Sequence, residues 1–331
     1  MDTKELVLLD TDIGTDIDDA LCLSYLLRHP RCELLGITTV SGDTRRRAML
    51  ADAICRAHGR ADTPIHPGAA GRRGARQSDP PVHQASILER WDHRSDFEIC
   101  DALEFMQRTI RRYPGSVTLL GIGPLTNIAM LFSLDPELPS LLKRLVLMCG
   151  GFKLGGPGQR EWNAMVDPEA TALVYETAVS EHITLGQDVT YRCVIPLRLA
   201  QEIFATKLPQ IIAEATAVWA PVRQRQHPYV YFHDPLAAAA IFEPELCLYE
   251  RGTVTVEQVS PVSRGATYWT PQPSGPHTIA VEVDARAFFD HYFTTVTGSP
   301  LGELYGDIED ALRLEVAAAG NDPSRAPRNA L

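Results

Sequence analysis

Five aspartates fall within ten residues, at positions 10, 12, 16, 18 and 19 of a 331-residue chain. They lie in the run Leu6-Val-Leu-Leu-Asp10-Thr-Asp12-Ile-Gly14-Thr-Asp16-Ile-Asp18-Asp19-Ala20, directly after a short apolar segment and at the start of a helical pattern. A helix N-terminus accommodates one or two acids, because its free N–H groups and its dipole favour negative charge. Capping gives no reason for Asp10 and Asp12, which stand where the apolar run ends. Carboxylates this close repel each other by about 1–4 kcal/mol per pair at effective dielectrics of about 80 to 20. A bound hard cation removes that repulsion, and an all-oxygen donor set suits calcium or magnesium. The cluster therefore reads as a metal site, with capping alone as the alternative.

Other chemistry-bearing residues lie further along. An EF-hand is excluded, because Gly14 occupies the fifth loop position where an acid is needed. A phosphatase of the D-x-D type remains a rival, although Gly14 stands where Thr or Val is expected. Gly121-Ile-Gly123-Pro-Leu-Thr126 lacks the third glycine of a dinucleotide fingerprint. Its glycines instead free the backbone to turn a carbonyl towards an ion. His233, beside Asp234 and before Pro235, is a candidate proton donor, with a packed structural role as the alternative. Tyr229, Tyr231, Phe232 and Trp162 suit either stacking on a planar ligand or the core. Arg72, Arg73, Arg76 or Arg160 could pair with an anionic substrate group, or could be solvated loop charges, as could Arg90 and Arg94.

These residues need a scaffold. Leu6–Leu9, Leu34–Val40, Val117–Gly121, Leu145–Met148 and Ile183–Gly186 are apolar runs too short for helices, and read as strands buried on both faces. Helical patterns near residues 18–28, 44–58, 98–113, 125–133 and 167–179 alternate with them. The fold class is therefore α/β: a single domain with a Rossmann-like, mostly parallel sheet flanked by helices. The second half is more helical, about 196–226 and 234–242, followed by strand-like runs at 252–258 and 278–283. Residues 68–96 read as loop, and the expected boundaries are a domain over 1–316 and a disordered tail over 317–331. Such sheets bind ligands at the carboxyl ends of their strands, where the aspartates stand.

Composition narrows the class. Apolar residues form 45% and charged residues 22% of the chain, which excludes wholesale disorder. A net charge of −11 argues against nucleic-acid binding. Seven widely spaced cysteines without a C-x-x-C are expected to be reduced and buried. No window reaches the roughly 18 apolar residues of a membrane span, and no signal-peptide core follows Met1, so the expectation is a cytoplasmic protein without a membrane partner.

The pieces together resemble a known family. Asp10-Thr-Asp12-Ile-Gly14…Asp18-Asp19-Ala20 is similar to the D-x-D-x-G-x-D-D-A signature of the inosine–uridine-preferring nucleoside hydrolases, with Asp16 and Ile17 as two extra residues. Gly36-Ile-Thr-Thr-Val-Ser-Gly42-Asp43, Gly121–Asn127, Leu147–Gly151, Glu161-Trp162-Asn163, Asp167-Pro-Glu-Ala170 and Tyr231-Phe-His233-Asp234-Pro235 resemble its later motifs in order, across about residues 5 to 295.

The resemblance implies hydrolysis of ribonucleosides to free base and ribose, with Ca2+ as cofactor and a homodimer or homotetramer as the assembly. It implies that Asp12, Asp19, Asp234 and the Ile122 carbonyl hold the ion, and that Asp12 takes a proton from water. By the same resemblance Asp18, Glu161, Asn163, Asp43 and Met148 contact substrate, while Asp10 and Asp16 support the ligands from behind. His233 would protonate the leaving base, with Tyr229, Tyr231, Phe232 and His83 as base-stacking candidates. The 5′-contacting Asn that the family normally has between Gly151 and Glu161 is missing, and Pro80-Pro-Val-His83-Gln replaces its His-Gly flap. A calcium- or nucleoside-binding member without catalysis is the remaining alternative.

Overall fold

The structure, a computed structural model, describes residues 4–71, 81–98, 101–152, 160–223 and 228–302. The first apolar run forms β1 (Glu5–Thr11), which pairs in parallel with β2 (Cys32–Thr39) on one side and β4 (Val117–Gly121) on the other. A strand with neighbours on both edges and helices on both faces has no solvated side, so its apolar residues need not alternate with polar ones. Val7 and Leu9 enter the apolar cluster on one face of the sheet and Leu8 enters the cluster on the other.

β3 (Ile65–Pro67), β5 (Leu142–Met148) and β6 (His182–Leu185) extend the parallel sheet to the order β3-β2-β1-β4-β5-β6. A second, two-stranded sheet pairs β7 (Val194–Pro196) with β8 (Tyr229–Tyr231). β9 (Cys247–Val256), β10 (Thr267–Pro271) and β11 (His277–Val283) complete the large sheet, β11 running parallel to β6 and β9 antiparallel to both β11 and β10. The expected mostly parallel sheet flanked by helices is thus present. The strand order reverses between β1 and β4, which opens a crevice at their carboxyl ends. Register places Asp10 level with Thr38 of β2 and Gly121 of β4.

Helices at the expected places follow these strands, among them Asp18–Arg28, Thr44–Ala57 and His233–Phe242. Other parts differ from expectation. The loop read over 68–96 contains a 3₁₀ helix, His83–Arg90, with Ile87 and Leu88 buried. The helical stretch read over about 196–226 comprises two helices, Leu197–Lys207 and Gln210–Arg223. The break is at Leu208, which is extended because Pro209 follows it. β10 and the helix Ala285–Thr297 were not expected; the helix brings Phe288, Phe289, Tyr292, Phe293 and Val296 into the core. The cysteines among the described residues are buried and unpaired, and Cys100 lies outside them. The proposed tail and boundary, with Arg72, Arg73 and Arg76, also lie outside the described residues. Among those residues no helix is long and apolar enough to cross a membrane.

Candidate active site

Two helices deliver the carboxylates. Asp18 and Asp19 open the helix Asp18–Arg28, and Asp234 is the second residue of the helix His233–Phe242, which packs against it. One carboxylate oxygen from each of Asp18, Asp19 and Asp234 lies within 4.8 Å of the others, and all three residues are buried. Asp12 is buried beside them in the same cavity. Burial first, then mutual repulsion, raises the carboxyls of Asp18, Asp19 and Asp234 well above the usual range. Asp12 is also raised by burial, and the Arg47 guanidinium opposes that shift. A divalent cation is the partner such a donor set lacks.

Around them the backbone is held tightly. Asp10 is fully buried and accepts from the Thr38 hydroxyl at 2.6 Å and the Asn127 amide at 2.7 Å. Its backbone carbonyl takes the N–H of Ile122 at 2.9 Å, which ties the ends of β1 and β4 together. The Thr11 hydroxyl donates to Asp19. Arg47, wholly buried, donates to the carbonyls of Ser41 at 2.7 Å, Ile13 at 2.9 Å and Asp12, so it braces the loop after β1. Nothing in the sequence separates Arg47 from Arg45 and Arg46 beside it; only the helical register does.

The Ile122 carbonyl and Asn163 are coupled. The Asn163 amide donates to the carbonyls of Ile122 and Met148, each at 3.0 Å. Both amide hydrogens are thereby directed at backbone carbonyls. Glu161 accepts from the N–H groups of Gly150 at 2.9 Å, Asn163 at 2.7 Å and Ala164 at 3.0 Å. Burial nonetheless lifts its carboxyl to about 7, as it does that of Asp10.

A cavity of about 580 Å³ opens over the aspartates. Asp12, Asp16, Asp18, Asp19, Asp234 and Ile122 line it, together with Met148, Glu161 and Asn163. Trp162, Tyr191, Trp219, Tyr229, Tyr231, His233 and Arg160 also line it. His233 has Nδ1 2.6 Å from the Thr190 hydroxyl and stacks on Tyr231 with ring centroids 5.4 Å apart. Sequence reasoning did not single out Tyr191, Trp219 or Thr190, since lone residues of these types carry no spacing signal.

Four expected residues stand elsewhere or differently. Asp43 is exposed and caps the helix Thr44–Ala57 by accepting from the Arg46 N–H at 2.9 Å. Phe232 is fully buried against Phe288, Phe289, Tyr292 and Phe293, because it alternates with Tyr231 and His233 and faces the core. His83 begins the 3₁₀ helix and does not line the cavity, whereas Pro81 does. Asp16, read as support for the ligands, lines the cavity. Arg90 pairs with Glu214 at 2.8 Å, and Arg94 lies over the Phe97 ring at 4.1 Å.

Comparison with known proteins agrees with this geometry. The chain matches the profile of the family described as inosine-uridine preferring nucleoside hydrolase over residues 7–290. It is 27% identical to a probable uridine nucleosidase 2 from Arabidopsis thaliana, with 86% of this chain and 95% of that protein covered. It is 28% identical to an inosine-uridine preferring nucleoside hydrolase from Leishmania major, covering 86% and 94%. The fold is similar to that of a purine-preferring ribonucleoside hydrolase from Gardnerella vaginalis, with a TM-score of 0.77, 23% identity, and 89% and 98% of the two chains covered. The chain belongs to the inosine-uridine preferring nucleoside hydrolase family and is a hydrolase of N-glycosyl bonds.

Proposed function

We propose that this protein is a calcium-dependent ribonucleoside hydrolase that releases free base and ribose. The convergence of Asp18, Asp19 and Asp234 beside Asp12, in a cavity that aromatic residues also line, carries the proposal. Asp12, Asp19, Asp234 and the Ile122 carbonyl would hold the ion, and the hard oxygen donors fit it. Bound there, calcium supplies positive charge that favours the deprotonated form of a nearby water and orients the ribose hydroxyls.

The remaining work falls to the chain. Asp12 accepts the proton of the attacking water, whose oxygen forms the new bond to C1′ as the C1′–N bond breaks. Asp18 accepts a ribose hydroxyl, and Glu161 with the Asn163 oxygen holds the others. A missing hydroxyl would cost the site one of these buried hydrogen bonds, which makes it selective for ribose. His233 donates a proton to the departing base, and Tyr231, Tyr229 and Trp162 flank that base. The family match along most of the chain disfavours the phosphatase alternative.

Product analysis after incubation with inosine, uridine, cytidine and adenosine tests the proposal. Free base and free ribose in equal amounts are expected. Nucleosides recovered intact, although shown to bind, would identify a non-catalytic member.

A further inference from the structure

The helices that open with Asp18, Asp19, His233 and Asp234 also meet at their other ends. The helix Asp18–Arg28 ends on His29, and the helix His233–Phe242 ends on Glu243. His291, from the helix Ala285–Thr297, closes on the same point. One ligand atom from each of His29, Glu243 and His291 lies within 4.8 Å of the others. Ten or eleven helical residues at about 1.5 Å each put this cluster roughly 15 Å from the aspartates.

We propose that His29, His291 and Glu243 form a second metal site, apart from the aspartate cluster, for a borderline divalent ion of the zinc class. Two imidazoles and one carboxylate are nitrogen-rich donors that suit zinc, copper or nickel and suit calcium poorly. His29 is buried, while Glu243 and His291 are half-buried, so an ion has a route in and a water can complete its shell. The Tyr25 hydroxyl lies 2.7 Å from Nε2 of His291. It can accept that N–H in the tautomer that frees Nδ1 for a metal, the support metal-bound histidines usually have. The Arg31 N–H reaches Nδ1 of His29 at 3.3 Å, the long end of a hydrogen bond and one readily given up. The ion's competitor is the Arg31 side chain, which pairs with Glu243 and donates to the Phe242 carbonyl at 2.7 Å.

An ion there would tie the ends of the helices Asp18–Arg28 and His233–Phe242 to the middle of the helix Ala285–Thr297, and would stabilise the fold by mass action. Untagged full-length protein, held in excess calcium to occupy the aspartate cluster, is titrated with zinc by calorimetry and followed by thermal unfolding. One zinc per chain and a rise in Tm are expected. His291→Ala and Glu243→Gln should each weaken zinc binding at least about tenfold with calcium binding unchanged, whereas Arg31→Ala should tighten it. Cobalt in place of zinc should give visible bands that His291→Ala abolishes. Zinc affinity equal in wild type and His291→Ala, or no binding in the micromolar range, would overturn the site.

Discussion

The Thr190 hydroxyl stands 2.6 Å from Nδ1 of His233, so the ring that faces the cavity is fixed from behind by a side chain of another helix. This contact and the stacking on Tyr231 fix the imidazole plane beside the cavity. Replacing His233 with Ala is expected to slow inosine and uridine about 10²–10⁴-fold, the usual worth of a positioned proton donor. p-Nitrophenyl riboside, whose leaving group needs no proton, should lose far less. Thr190→Val should show the same substrate pattern in weaker form. Equal losses on both substrate types would remove His233 as the acid.

Gly123 admits no side chain. A Cβ there would lie 2.9 Å from the Asp12 backbone nitrogen and 2.9 Å from Cγ1 of Val40. Gly123→Ala therefore pushes β1 and the loop after β4 apart, just where Asp12 and the Ile122 carbonyl are set. We expect a loss of about 1–3 kcal/mol in stability, as for overpacking elsewhere, and a weaker calcium midpoint. Unfolding and calcium titrations that match wild type would show that the spacing has no such role.

Burial lifts both Asp10 and Glu161 to about 7, above their ordinary values of 3.8 and 4.5. An acid whose folded pKa lies above its unfolded one keeps the folded state more protonated through that interval. The metal-free protein should therefore lose stability as the pH rises from about 4 to about 7. Calcium needs its carboxylates ionised, so its stabilising effect should grow over the same range. Unfolding temperatures at about pH 5 and about pH 8, with and without calcium, check both signs; a calcium shift equal at the two values would contradict them.

Trp162 lines the cavity and keeps 38% of its surface exposed, enough ring for a planar base to stack on. Stacking of a base on an aromatic ring is worth about 1–3 kcal/mol. Trp162→Ala should accordingly raise KM about tenfold or more and change kcat less. An unchanged KM for both purine and pyrimidine nucleosides would place the base elsewhere in the cavity.

Much of the frame was legible because the signals are local. Leu6–Leu9 followed by Asp10 marks a strand end, and Pro235 after Asp234 marks a helix start; both are where the sequence puts them. The helix Ala285–Thr297 was missed although Asp284 caps it, Gly298 ends it at φ 87° and its aromatics recur at helical spacing. β3, β7 and β8 are three residues each, too short to show a period. Side-chain direction was the harder part. Tyr231, Phe232 and His233 are consecutive where β8 passes into the helix His233–Phe242, and Phe232 is buried while Tyr231 and His233 line the cavity. Asn163 was expected to serve ribose alone, yet its amide is directed at the Ile122 and Met148 carbonyls, a contact set by the approach of β4 and β5.

The central claim is that the buried aspartates form a metal-dependent site for glycosyl cleavage. The direct measurement is reducing-sugar release from inosine and uridine by chelator-treated protein, before and after calcium is restored, for wild type and Asp12→Asn. Wild type should be inactive without the ion and recover with it, whereas folded Asp12→Asn should stay at least about 10³-fold slower throughout. Near wild-type release by Asp12→Asn, or activity indifferent to the chelator, would contradict the assignment.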